Sequence, residues 1–152
     1  AILVDSSFCY MRTNDDCMAA LKSISGALRK GGTIIIHTMN IWPEIAEGSL
    51  EKNWSTLDRR DDRELMTEGK VEIDPADMLV RYTNTYRGVV GGKDEIVVRD
   101  ASPVELRIFT PMQMDLLFRL SGFKSVGFYG DLKLGRISKK NRDWLVSIGE
   151  KT

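Results

Sequence analysis

Two short apolar runs, Ala1-Ile2-Leu3-Val4 and Thr33-Ile34-Ile35-Ile36, stand on either side of one helical pattern. That order constrains the fold more than any other feature of the chain. Each run is rich in branched side chains and closes on polar residues, Asp5-Ser6-Ser7 after the first and His37-Thr38-Met39-Asn40 after the second. Parallel strands buried on both faces have this character. Between them Thr13 is placed to cap a helix, Asp16 closes a capping box three residues on, and Asp15 and Asp16 suit the positive helix start. Cys17, Leu21, Ile24 and Leu28 recur at helical spacing, Arg29 and Lys30 fall in the expected last turn, and Gly31-Gly32 offers a left-handed exit. Strand, helix and strand within about forty residues predict a right-handed βαβ unit, hence an α/β fold.

The middle of the chain reads differently. Residues 41–68 are polar and irregular, with Trp42-Pro43 and a charged stretch from Asp58 to Glu64, and either a helix or a loop is consistent with them. From Lys70 the period becomes two: Val71 and Ile73 alternate with charges. Runs at Met78–Tyr86 and Glu95–Arg99 flank a Gly91-Gly92 turn, and Val104–Phe109 follows Ser102-Pro103. Short strands with glycine turns predict an antiparallel meander. Thr110-Pro111-Met112-Gln113 then opens a helix, with threonine at the cap, proline in the first turn and glutamine closing the box. Met114, Leu117, Phe118 and Leu120 form its apolar face and Gly122 ends it. Strands at Lys124–Tyr129 and Trp144–Ile148 are expected to pair antiparallel.

Composition narrows the function classes. The 152 residues suffice for one domain with a single core. Twenty-two lysines and arginines balance 22 aspartates and glutamates, which argues against nucleic acid or an acidic membrane as partner. Two cysteines, Cys9 and Cys17, make neither a disulfide framework nor a metal quartet, so no metal is expected and a reducing, cytoplasmic setting fits. No apolar run approaches the ~20 residues of a transmembrane helix. The chain opens without methionine and in strand-like sequence, which predicts further sequence upstream.

Walker, Gly-x-Ser-x-Gly and His-Glu-x-x-His signatures are absent, and a single histidine, His37, leaves serine triads and histidine-ligated metals hard to assemble. A lone histidine at a strand end is ordinarily a structural hydrogen bonder. Here its position matters, because His37 and Asn40 close the second strand while Asp5, Ser6, Ser7, Phe8 and Tyr10 follow the first. The carboxyl ends of strands in an open α/β sheet are where ligands bind.

These residues resemble a family. Asp5 to Met11, the helix after it, and Leu28-Arg29-Lys30-Gly31-Gly32 are similar to the fourth strand, following helix and fifth-strand entry of class I S-adenosylmethionine-dependent methyltransferases. Arg107-Ile108-Phe109-Thr110-Pro111, then Leu117 with Ser121-Gly122-Phe123, resemble that family's "Arg-x-aromatic-Thr-Pro … Leu-Leu-x-x-x-Gly-Phe" segment, and Tyr129-Gly130-Asp131 the strand end after it. The resemblance implies the C-terminal half of a Rossmann-like methyltransferase sheet, seven-stranded when complete and ending in an antiparallel hairpin. Residues 1–41 and 110–152 would belong to it, and 42–109 would be an inserted antiparallel β cap over the acceptor. It also implies S-adenosylmethionine as cofactor, with Ser6, Ser7 and Phe8 beside it and S-adenosylhomocysteine as product. Tyr10 and His37 would be the catalytic pair, and Asn40, Tyr82, Tyr86 and Arg107 would line the pocket of a small-molecule acceptor. Core packing is the alternative for Phe8 and Tyr10, and packing on the insert's own sheet for Tyr82 and Tyr86. The family's first strand, Gly-x-Gly loop and ribose-binding acid have no counterpart, so the chain alone is expected not to grip the cofactor.

Three readings follow. One is methyl transfer to a small molecule, which relies on proximity and orientation and needs few catalytic side chains. The second is a non-catalytic α/β scaffold or interaction domain derived from a methyltransferase. The third is an unrelated α/β module holding a nucleotide-like ligand at the same edge. An unmatched first strand invites either self-association or pairing with a chain that supplies the missing half.

Overall fold

In the computed structural model the first helix, α1 (Asn14–Ala27), begins where Thr13 caps it: the Thr13 hydroxyl accepts from the Asp16 amide and the Asp16 carboxylate accepts in return from the Thr13 amide. Residues 1–50, 53–60, 63–90, 93–99 and 103–152 are described, with backbone alone at 60, 90 and 93–99. The expected Gly91-Gly92 turn lies outside the described residues.

α1 stops earlier than its apolar spacing predicts. Leu28 is already extended, so Arg29 and Lys30 lie beyond the helix rather than in its last turn. The cause is distant in sequence: Lys151 donates from its ammonium to the Leu28 carbonyl at 2.6 Å, and its backbone exchanges hydrogen bonds with Gly31 and Gly32 at 2.9 Å each. Gly31 takes the left-handed conformation (φ 74°) that this exit requires.

The chain divides into two units, Ala1–Leu50 with Leu106–Thr152, and Glu51–Glu105. The second is narrower than the expected 42–109 insertion. The first unit holds a four-stranded sheet in the order β1-β2-β9-β8, built from β1 (Ile2–Leu3), β2 (Thr33–Met39), β8 (Phe123–Tyr129) and β9 (Trp144–Lys151). β1 runs parallel to β2, so the expected βαβ connection through α1 is present. β9 is antiparallel to both neighbours; it pairs with β8 as expected and also with β2, from Thr33 opposite Glu150 to Met39 opposite Trp144.

Helix α3 (Pro111–Leu120) starts at the expected box, Thr110 with Gln113, and packs on β8 and β9. Phe118 and Ile34 close on Gly149 from the helix side of the sheet, where a Cβ would meet them at 3.2 and 3.1 Å. Phe8, Leu21, Ile34, Ile36, Met114, Phe118, Phe123 and Leu145 are fully buried in this core.

Within residues 41–68, where either a helix or a loop is expected, the described residues form a short helix and parts of two strands. Trp42–Glu47 forms the short helix α2, and β3 (Asn53–Arg60) pairs antiparallel with β4 (Arg63–Asp74). The charged stretch from Asp58 therefore lies in these two strands where it is described. β5 (Leu79–Val90) and β6 (Lys93–Arg99) complete the order β3-β4-β5-β6, and β7 (Val104–Arg107) pairs with β5. In the second unit the Trp54 indole lies across Gly69, where an added Cβ would sit 2.0 Å from the ring. Among the described residues no helix is long and apolar enough to cross a membrane.

Candidate functional site

Beyond Leu3, which pairs with Ile36, β2 continues to Met39, leaving edge groups that the chain after β1 must satisfy. It does so with a tight turn. The Ser6 amide donates to the His37 carbonyl at 3.0 Å, and the Met39 amide donates to the Ser6 hydroxyl at 2.9 Å. Ser6 thus stands in for a strand partner with both its main chain and its side chain. Its own carbonyl accepts from the Cys9 amide at 2.8 Å, starting the 3-10 turn Ser7–Tyr10. Phe8 and Cys9 point into the core, and Phe8 packs tilted on Phe109 with ring centres 5.2 Å apart.

This edge gathers Ser6, Ser7, Phe8, Tyr10, His37 and Asn40. Their exposure separates them. Ser7 and Tyr10 face solvent, Tyr10 at 58%, whereas Ser6, Phe8, His37 and Asn40 are buried. The His37 imidazole stacks on Trp144 (centroids 4.2 Å, planes 26° apart), and its Nδ1 accepts from the Asp5 amide at 3.3 Å. Asn40 donates from its side-chain amide to the Arg142 carbonyl at 2.8 Å. Arg142 in turn forms a two-pronged ion pair with Glu47 at the end of α2, at 2.5 and 2.8 Å.

Arg107 lies elsewhere in the same unit. Its buried guanidinium donates to Asn14 Oδ1 at 2.6 Å and to Cys17 Sγ at 3.6 Å, and sits over the Phe109 ring. The Cys17 thiol donates to the Met11 carbonyl at 3.3 Å. Arg107 therefore braces the start of α1. Tyr82 and Tyr86 belong to the second unit, half-buried on one face of its sheet, with Tyr82 opposite the buried Val71. The other face has a shallow cavity of about 570 Å³, bounded by polar side chains such as Asn53, Glu68, Lys70 and Thr85, and none of the expected site residues line it.

Among the described residues no group of three or more histidines, cysteines or acids could hold a metal ion. Trp144 is the site residue that sequence reasoning missed. Nothing local marks it, since its meeting with His37 depends on the pairing of β9 with β2, more than a hundred residues apart.

No protein-family model matches the sequence, and the comparison with curated proteins finds no match. Solved structures are. The chain aligns over 99% of its length with an S-adenosylmethionine-dependent methyltransferase from Clostridium acetobutylicum, at 13% identity and a TM-score of 0.75. It aligns over the same share with the CcbJ methyltransferase from Streptomyces caelestis at 16% identity and 0.71. A third similar structure is CalS10 from Micromonospora echinaspora, an amino pentose methyltransferase solved with S-adenosylmethionine bound, at 16% identity and 0.70. The chain spans 56%, 59% and 58% of the length of these three proteins. The fold is that of class I S-adenosylmethionine-dependent methyltransferases.

Proposed function

We propose that the chain is the part of such a methyltransferase from the fourth strand onward, and that the whole enzyme methylates a small molecule. The alignment of nearly the whole chain with 56–59% of three methyltransferases carries this reading. The sheet order supports it, with an antiparallel β9 set between β2 and β8. S-adenosylmethionine would supply the methyl group, by displacement at its sulfonium that would leave S-adenosylhomocysteine, with the acceptor's proton passing to solvent.

The chain's residues fit one wall of a cofactor site. Ser7 and Tyr10 present hydroxyls at the strand edge, while Ser6 and Phe8 hold the segment from beneath. Of the expected catalytic pair, Tyr10 is the side chain open to a ligand and orients the acceptor. His37 works from below, and Asn40 shapes the floor through Arg142. Tyr82 and Tyr86 are the acceptor-pocket residues proposed on the second unit. Arg107, braced against α1, acts through Asn14 and Cys17 rather than on the acceptor. The free cysteines, Cys9 and Cys17, are consistent with a reducing cytoplasm.

Calorimetric titration of S-adenosylhomocysteine into this chain, and into a longer polypeptide with the upstream sequence, tests the reading. Binding to the longer protein but not to the chain is expected. No binding to either would leave the scaffold reading in front.

A further inference from the structure

Asp5 and Ser6 both adopt left-handed backbone, φ 55° and 60°, although neither is glycine. Two consecutive residues of this kind persist only where surrounding contacts over-determine them, and such strain gathers at functional sites. Main-chain pairing with β2 explains Ser6. It does not explain Asp5, whose amide is held by a side chain, the Nδ1 of His37.

Trp144, reaching across from β9, stacks on that imidazole and holds the plane in which its Nδ1 meets the Asp5 amide. The turn in question decides where the chain goes next: Phe8 and Cys9 into the core, Ser7 and Tyr10 outward at the ligand edge. We propose that His37 is a positioning residue which, clamped by Trp144, sets the Asp5–Ser6 turn and so presents Ser7 and Tyr10 to an adenosyl-bearing cofactor and its acceptor. The ligand half of this inference rests on the methyltransferase reading above.

Geometry chooses the variants. Asparagine places an acceptor oxygen where Nδ1 stands, whereas phenylalanine keeps an aromatic face for Trp144 but accepts nothing. Amide hydrogen exchange at Asp5, followed by NMR at neutral pH, reads the turn directly. In His37→Phe the Asp5 amide should exchange about fivefold faster, the factor that losing one hydrogen bond carries. In His37→Asn it should stay within about twofold of wild type, and Trp144→Leu should loosen the same amide while leaving the acceptor group in place. Unchanged exchange in both His37→Phe and Trp144→Leu would overturn the proposal, as would an equal loss in His37→Asn and His37→Phe. Titrating S-adenosylhomocysteine into the longer protein separates the two readings. Binding weakened by His37→Phe and restored by His37→Asn supports positioning. Binding indifferent to all three variants refutes it. No binding by wild type removes the methyltransferase reading, while the exchange data still decide the clamp.

Discussion

Cys9 is a fully buried ionisable side chain beside the site, and its chemistry follows from that. Burial pushes its thiol up to about 12 from an ordinary 9.0, against a hydrogen bond with Ser6 that lowers it and with a smaller push from Cys17. The thiol is then protonated in the folded chain at any physiological pH and should not react with iodoacetamide until the protein unfolds. The sign of the linked stability is fixed. Below about pH 9 both states hold the proton and the contribution is complete; from 9 to 12 the unfolded chain alone releases it, and stability falls by on the order of 4 kcal/mol. Denaturant midpoints of wild type and Cys9→Ala between pH 8 and 11 check this. The wild type should lose stability more steeply, and parallel slopes would contradict the assignment. At this scale the sequence was readable where partners are local. Thr13 with Asp16, and Thr110 with Gln113, meet three residues apart and could be found from spacing. His37 with Trp144 could not, because strand register brings them together.

Helix α3 shows what one cap does for an element. Its ten residues would be marginal alone, and Met114, Leu117 and Phe118 hold it by burial against the sheet. Thr110 satisfies the Gln113 amide at 3.3 Å, and Gln113 Oε1 accepts from the Thr110 amide at 2.8 Å. Thr110→Ala should therefore destabilise the chain by about 1 kcal/mol, with Thr110→Ser retaining most of it. Thermal denaturation of the three proteins decides the matter, and a neutral alanine variant would show that packing alone fixes the helix start. Element ends were less legible than element starts. The early stop of α1 depends on Lys151 at the far end of the chain. β3 escaped notice because Asn53-Trp54-Ser55-Thr56-Leu57-Asp58-Arg59-Arg60 has little apolar alternation. Its ladder with β4, in register from Asn53 opposite Lys70 to Arg60 opposite Arg63, makes it a strand, as expected where context outweighs propensity.

On the scale of the molecule, the two faces of the four-stranded sheet are unequally covered. Ile34 and Ile36, at 0% exposure, lie on the helix side with Phe118. Pairing puts Ile2 beside Ile35 on the other face, and there Ile2 is 69% exposed and Ile35 half-buried, with Val4 at 47% just beyond the strand. β1 is also two residues long, with β2 as its one neighbour among the described residues. Apolar side chains beside an open strand edge favour pairing with another polypeptide. The chain studied by itself should therefore associate as its concentration rises. Ile2→Lys puts a charge on that edge and removes an apolar side chain worth roughly 1.5 kcal/mol when buried, so it should weaken association by about tenfold. Sedimentation velocity over a range of concentrations makes the comparison. If wild type sediments as a monomer throughout, or Ile2→Lys associates equally well, this face does not drive association. If a polypeptide extended upstream of Ala1 is monomeric where the chain is not, the added segment is what covers the face.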